Sequence, residues 1–308
     1  MPFLRPPFPE SLDSTLVGSF RSCPQRFYLE YMEHWKPKSS NVHLHAGASF
    51  AKGLEIARKR FWIETAPKAI AIRAGQEALA EAYGDFQCPP DSTKSKDRMI
   101  GAYNYYMDRF DITATEPLAL HQGLSRAIEV SFATPLPVEN PETGSLVLYT
   151  GRADQLVNYA KGKFGEDDKT TSQLGASWAR QWDLRSQFTG YVWGFGELGV
   201  HLDGFLIRGV SILKTKYDSA EAITYRPQWE VDRWLEQTVR DVQRMVQCWK
   251  DGFWDYNLDH ACSEYGGCMF QQVCKMRDPS DLLPAYFERR RWDPLLRTET
   301  NLDEKGTS

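Results

Sequence analysis

The sequence predicts an α/β fold, a central mixed sheet with flanking helices, and three observations point to it. Apolar residues recur at helical spacing through the first third of the chain. Period-two alternation sets in near residue 124. Helical and strand patterns then interleave to about residue 250, so the helical stretch reads as a subdomain inserted ahead of the sheet.

The elements follow in order. Residues 1–10, MPFLRPPFPE, read as an extended lead-in. Pro24 suits the first turn of a helix, which is expected to begin there and to carry Phe27, Tyr28 and Tyr31. Phe50, Leu54, Ala57, Phe61 and Trp62 predict a helix over residues 47–64. Further helices are expected over 68–83 and 94–110, separated by a loop from Cys88 to Ser92. Ile128, Val130 and Phe132 alternate with Glu129 and Ser131, which is a strand signature. Pro135, Pro137 and Pro141 predict a loop, with a turn over residues 140–144. Strands are expected over 146–149, 151–159 and 164–169, the last two joined by a tight turn at Lys161, Gly162 and Lys163. A helix over 181–198 and a strand over 205–213 follow. A long helix over 228–250 then presents Val231, Leu235, Val239, Val242, Val246 and Trp249 on one face. From about Arg289 the tail is polar and is expected to be loose.

Composition bounds the function. With 308 residues the chain has room for one large domain or two small ones. A hydrophobic content of 42% against 25% charged residues excludes global disorder and collagen-like repeats. The net charge of −4 excludes a basic surface overall, though not a local basic groove. No apolar run approaches the roughly 18 residues that span a bilayer. The first residues lack a secretory apolar core. The expectation is a cytoplasmic protein without a membrane partner. Its six cysteines are then expected as buried thiols or ligands rather than disulfides.

Two segments carry the chemistry. Gly151-Arg152-Ala153-Asp154 is followed by Asp167-Asp168-Lys169-Thr170-Thr171, with a hairpin signal between them. Pairing the two strands brings Asp154 near Asp167, and alternation sets Asp167 and Lys169 on one face with Asp168 on the other. Two carboxylates suit Mg²⁺, which keeps several waters and leaves room for a phosphate oxygen. A nearby ammonium can orient the attacking water and balance charge on the phosphate. The main-chain carbonyl of Asp168 is a further candidate ligand. Gln187 and Tyr191, four residues apart, share a face of the following helix.

At these residues the sequence resembles the PD-(D/E)XK nucleases. The segments ending at Asp154, running from Asp167 to Thr171 and running from Gln187 to Tyr191 are similar to motifs of the RecB-like exonuclease branch, which includes phage exonucleases and CRISPR-adaptation nucleases. The resemblance runs from about Ser19 to Cys274. It implies a restriction-endonuclease-like core, Mg²⁺ or Mn²⁺ on Asp154 and Asp167, Lys169 assisting the water, and Gln187 and Tyr191 supporting the site and DNA. Glu129 matches an acidic position ahead of the first motif. Many members carry a metal-binding His in a Gly-x-x-x-His pattern. Here Ala51 follows Gly47 at that spacing, with His43 and His45 upstream on a different part of the chain. The site then lacks one ligand, uses water, or recruits Glu55.

Cys262, Cys268 and Cys274 form a C-x5-C-x5-C cluster, with Gly266 and Gly267 permitting a tight turn. Three thiolates do not close a tetrahedral site, and Cys23 is the natural fourth. The resemblance implies a 4Fe–4S cluster there, stapling the chain ends around the core. Four thiolates suit Zn²⁺ as well, and His260 reads as an ordinary surface residue. Lys94, Lys96, Arg98 and the run Arg289, Arg290, Arg291, Trp292 are candidates for DNA backbone contacts, and Tyr103, Tyr105 and Tyr106 for base stacking. Solvated charge and core packing account for them better.

The domain reading is a single nuclease domain over 1–308, with a helical subdomain at 45–123, the sheet core at 124–215, and a C-terminal helix and Cys cluster at 228–280 closing on Cys23. The function the resemblance implies is a metal-dependent DNA nuclease, an exonuclease on single-stranded DNA or duplex ends. It would serve recombination, repair or phage genome processing, in the host cytoplasm if phage-encoded. No Walker-type segment is present, so helicase activity would come from a helicase or recombination partner. The alternative is a weak or inactive nuclease fold that binds DNA or a host factor. Ala51 favours it, and Asp154, Asp167 and Lys169 oppose it.

Overall fold

The computed structural model describes residues 5–39, 41–120, 125–263 and 267–302. In chain order the first elements are β1 (Ser11–Leu12), α1 (Ser14–Ser22), α2 (Pro24–Phe27), a π-turn (Tyr28–Met32) and β2 (Trp35–Pro37). Three helices follow, α3 (Val42–Trp62), α4 (Lys68–Tyr83) and α5 (Lys96–Arg109). The short strands β3 (Glu116–Pro117), β4 (Ala119–Leu120) and β5 (Ser125–Arg126) lead into β6 (Ile128–Glu139), β7 (Leu146–Tyr159) and β8 (Gly162–Thr171). Next come α6 (Ala176–Arg180), α7 (Ser186–Glu197), β9 (Gly204–Ile212), β10 (Tyr217–Tyr225) and α8 (Gln228–Asp251). The chain closes with α9 (His260–Ser263), α10 (Gln271–Cys274), α11 (Leu282–Tyr286), β11 (Phe287–Asp293) and β12 (Thr298–Asn301). The result is a mixed α/β fold with a mixed sheet and flanking helices, as the sequence predicts. Its residues fall into two compact units, one of Ser40–Ser131 with Arg152–Val231, the other of Met1–Ser39, Phe132–Gly151 and Asp232–Ser308.

In the first of these units β8 is the pivot. It pairs antiparallel with β7, from Gln155 opposite Glu166 to Tyr159 opposite Gly162. Its other edge pairs parallel with β9, from Phe164 opposite Gly204 to Thr171 opposite Ser211. All of β9 is buried, as a strand covered on both faces must be. Phe50 and Leu54 of α3, Leu79 of α4, and Met99, Tyr103 and Tyr106 of α5 make one core with Val210 and Ile212 of β9. Helices α3 and α4 approach closely because their contact is glycine on glycine. A Cβ on Gly53 would lie 2.9 Å from the Gly75 carbonyl oxygen.

The strands depart from expectation in identifiable ways. The segments 146–149 and 151–159 are one continuous strand, β7. The expected loop at Pro135 and Pro137 is strand as well. Both prolines face out of β6 while Thr134, Leu136 and Val138 are buried, so the alternation runs through them. Strand β10 escaped notice because its polar residues hide the period.

In the other unit, β1 pairs parallel with β7 at Leu148 and Tyr149. The Asp13 carboxylate caps α1, accepting from the N–H groups of Thr15 at 2.8 Å and Leu16 at 2.9 Å. Helix α2 does begin at Pro24. Val231 and Val242 of the expected α8 face are buried, but Leu235, Val239, Val246 and Trp249 are only partly covered, and the buried stripe extends instead through Trp234, Thr238, Asp241, Met245 and Cys248. Asp241 turns inward there to meet Arg21 Nε at 2.6 Å. The tail expected to be loose from Arg289 instead forms sheet as far as Asn301, and residues 303–308 lie outside the described residues. Strand β11 pairs with β2 and β12, and Phe287 packs with Leu29, Phe270, Val273 and Leu283. Among the described residues no helix is long and apolar enough to cross a membrane.

Candidate active site

The β7–β8 hairpin builds the site. Its turn places Ala160 at φ 45° and Lys161 at φ 66°, the left-handed pair that a two-residue hairpin turn requires. The register that sets Gln155 opposite Glu166 puts Asp154 opposite Asp167 one step further along. Asp154 Oδ2 accepts from the main-chain N–H of Asp168 at 2.9 Å. Lys169 Nζ meets Asp167 Oδ2 at 2.5 Å, with the lysine side chain 34% exposed and the Asp167 side chain 6%.

Burial, and then the charges of Asp167, Asp168 and Glu129, push the Asp154 carboxyl well above its ordinary range, with Lys169 opposing. Burial disfavours the Lys169 ammonium, but Asp167 and Asp154 outweigh it and raise its pKa. The Tyr191 hydroxyl adds to that field and accepts from Gln187 Nε2 at 3.2 Å, which places the α7 pair beside the acidic hairpin.

The opposite face of β8 holds groups the motif reading passed over. Arg58 of α3 reaches Asp168 Oδ2 and Glu166 Oε1, each at 2.6 Å. Tyr106 donates to Asp168 Oδ1 at 2.5 Å, and Arg208 meets Glu166 at 3.3 Å. Burial opposes the Arg58 charge, yet Asp168 and Glu166 hold its pKa well above the ordinary value. A signal for this network was present in the sequence. Arg58 falls one turn after Leu54 on the apolar stripe of α3, where a charge needs a buried partner.

Glu129 stands at φ 55° inside β6, and burial alternation fails there, as at a bulge that re-aims a side chain. Its carboxylate meets Arg152 Nε at 3.0 Å. Burial raises the Glu129 pKa, Arg152 opposes, and the Glu55 charge raises it further, so Glu55 lies within electrostatic range. Glu55 itself is held by Lys59 at 2.6 Å and Lys52 at 3.0 Å. Ala51 sits one turn beyond Gly47, where an added Cβ would lie 4.0 Å from Thr170 Oγ1. His45 stacks on Phe86 at 4.1 Å and bonds the Tyr83 carbonyl, so it serves the helical layer.

Among the described residues no group of three or more His, Cys, Asp or Glu side chains is arranged as a ready-made metal site. What the hairpin offers is an all-oxygen carboxylate pair in which burial, and then crowded negative charge, lifts the Asp154 pKa. That donor set fits a hard divalent cation that keeps its waters.

Cys268 and Cys274 lie within electrostatic range of Cys23 and Cys262, although among the described residues no three of them are arranged to hold a metal ion. None of the six is in a disulfide. Burial pushes the Cys274 thiol up to about 11, with contributions from Cys268, Cys23 and Cys262. Burial also raises Cys268, where Cys23 and Cys262 add to the shift. The Cys268 N–H donates to the Cys262 carbonyl at 3.0 Å, and Gly267 at φ 101° makes the turn between them. Gly266 lies outside the described residues.

The basic and aromatic candidates are largely structural. Lys94 is 4% exposed and bonds Thr170, Lys96 bonds the Gly84 carbonyl, and Arg98 bonds the Leu213 carbonyl. Tyr103 and Tyr106 are core, and Tyr105 packs against Tyr217. Arg289 covers Trp35, Arg290 meets Glu288 and Glu299, and Trp292 bonds Asp13.

Comparison with known proteins agrees with this fold. The description PD-(D/E)XK nuclease superfamily matches residues 15–275. A crystal structure of a candidate exonuclease from Eubacterium rectale is 12% identical, covers 90% of this chain and 92% of that one, and superposes with a TM-score of 0.52, a likeness of fold. A second solved structure, SSO0001, is 16% identical, covers 62% of this chain and 74% of that one, and has a TM-score of 0.26. No curated protein matches the chain. The matched span takes in the acidic hairpin, the α7 pair and every strand of the mixed sheet after β1, and the chain therefore belongs to the PD-(D/E)XK nuclease superfamily.

Proposed function

We propose that the protein is a divalent-metal-dependent deoxyribonuclease that degrades DNA from its ends, with Asp154, Asp167 and Lys169 as its hydrolytic centre. The observation that carries this reading is the carboxylate pair on the hairpin with Lys169 against it. Mg²⁺ or Mn²⁺ would be held by Asp154 and Asp167, with the Asp168 carbonyl as a further oxygen donor. Such an ion supplies Lewis acidity toward a phosphodiester and a more acidic bound water. Lys169 is exposed enough to meet substrate. There it orients the attacking water and offsets charge that builds on the phosphate. Gln187 holds the Tyr191 hydroxyl in place beside Lys169. Glu129, re-aimed by its backbone and balanced by Arg152, supplies a third carboxylate at the edge of the site.

End-directed cleavage, the RecB-like affiliation and work beside a helicase or recombination partner rest on the motif resemblance. The electrostatic reach of Cys23 and Cys262 to Cys268 and Cys274 supports a role as ligands of one structural cluster, 4Fe–4S with Zn²⁺ as the alternative. The test of the function is digestion of matched linear and circular single strands in Mg²⁺ or Mn²⁺. Degradation of the linear form alone marks an exonuclease, and cutting of both marks an endonuclease.

A further inference from the structure

We propose that Arg58 is a positioning residue for the acidic hairpin, acting through Asp168. The proposal rests on the reading of Asp154 and Asp167 as the metal ligands. Asp168 lies between the two functional positions of β8, yet its side chain points away from them into the protein and is 1% exposed. There it is gripped from two sides, by Arg58 at 2.6 Å and by Tyr106 at 2.5 Å. The main-chain N–H of the same residue donates to Asp154 Oδ2 at 2.9 Å.

One peptide unit therefore joins the two ligands. Its N–H fixes Asp154 and its carbonyl belongs to Asp167. A strand residue whose side chain is clamped cannot turn its peptide plane freely. Arg58 thus sets the orientation of that plane and, through it, the aim of both carboxylates, without touching a reacting atom. Without Arg58 the buried Asp168 carboxylate keeps only the Tyr106 hydroxyl as donor, and its side chain is free to swing from its place. That movement turns the peptide. Glu166 does not share this fate, because Arg208 also holds it.

Groups that orient metal ligands from behind are typically worth about 10- to 100-fold in metal affinity. The expectation for Arg58→Gln is Mn²⁺ binding weakened about 10- to 100-fold. Cleavage should recover when Mn²⁺ is raised. The double variant Arg58→Gln with Asp168→Asn removes both charges and leaves two amides that can bond to each other, so its Mn²⁺ affinity should return most of the way to wild type.

The experiment measures Mn²⁺ affinity by electron paramagnetic resonance of the free ion, without DNA, in wild type, Arg58→Gln, the double variant and Tyr106→Phe. Weakened binding in the single variant with rescue in the double supports the proposal. Unchanged affinity in folded Arg58→Gln overturns it, as does a double variant no better than the single, which is the signature of lost packing. If Arg58→Gln does not fold, Tyr106→Phe decides by the same measure: weaker binding supports the proposal, and wild-type affinity overturns it. The underlying reading fails separately. Wild type that binds no Mn²⁺, or binding untouched by Asp154→Asn, removes the metal site itself and the proposal with it.

Discussion

Lys169 Nζ lies 2.5 Å from Asp167 Oδ2, two residues along one strand. Alternation puts both on the same face, so the ammonium and the carboxylate share one site. In that position Lys169 does two things at once. It offsets part of the carboxylate charge in the resting protein, and it is poised toward a phosphate.

Lys169→Met separates these roles. Cleavage should fall by roughly 10²- to 10⁴-fold, the range for loss of a positioned proton-handling group. Mn²⁺ binding should be retained or tightened, because the competing ammonium is gone. Single-turnover cleavage and Mn²⁺ titration of the same preparation check both. Weaker binding would assign Lys169 to the scaffold.

Glu129 tests the cost of the bulge. A non-glycine residue at φ 55° carries strain that glycine would not. Glu129→Gly should stabilise the fold by about 1 kcal/mol while lowering cleavage. Urea unfolding at equilibrium measures the first and a nuclease assay the second. A less stable variant would show that the Arg152 pairing outweighs the strain.

His34 gives a pH dependence with a definite sign. Burial, then Arg291, Arg289 and Lys36, lower its pKa from 6.5 to about 4. Between these values the unfolded chain takes up a proton that the folded chain refuses. Stability from this residue is therefore complete above pH 6.5 and is lost as pH falls toward 4. The slope is at most one proton, roughly 1.4 kcal/mol per pH unit. His34→Gln should flatten the stability curve in that window, as read from thermal melts. An unchanged curve would mean that the ring is free to protonate in the fold.

The cysteine group makes a compositional prediction. Protein purified without oxygen should contain iron and sulfide, and Cys→Ser at position 23, 262, 268 or 274 should remove them and lower the melting temperature. Cys88→Ser and Cys248→Ser should leave the metal content unchanged. Iron, sulfide and zinc analysis checks this. Zinc alone would keep the ligand set and change the cluster type, and metal-free stable protein would contradict both.

Much of this was legible because the informative residues are local. A hairpin is a short-range object, so Asp154, Asp167 and Lys169 could be brought together from spacing and alternation. Helices α3, α4 and α5 were equally visible in their apolar periods. What stayed hidden depends on partners distant in sequence. Arg58 and Asp168 are 110 residues apart, and no periodicity links them. Pro135 and Pro137 read as a loop because a single strand does not reveal which amides a sheet requires. The tail from Arg289 looked loose because its partner strand, Trp35–Pro37, lies at the other end of the chain. The positive φ at Glu129 leaves no trace in residue type.

The central claim is that the carboxylate pair on the hairpin, with Lys169, hydrolyses DNA. The most direct measurement is digestion of end-labelled linear DNA by purified wild type and Asp167→Asn in Mn²⁺, with chelator as control. The account predicts cleavage by wild type that chelator abolishes, and no cleavage by a folded Asp167→Asn that still binds DNA. Undiminished cleavage by Asp167→Asn would contradict it.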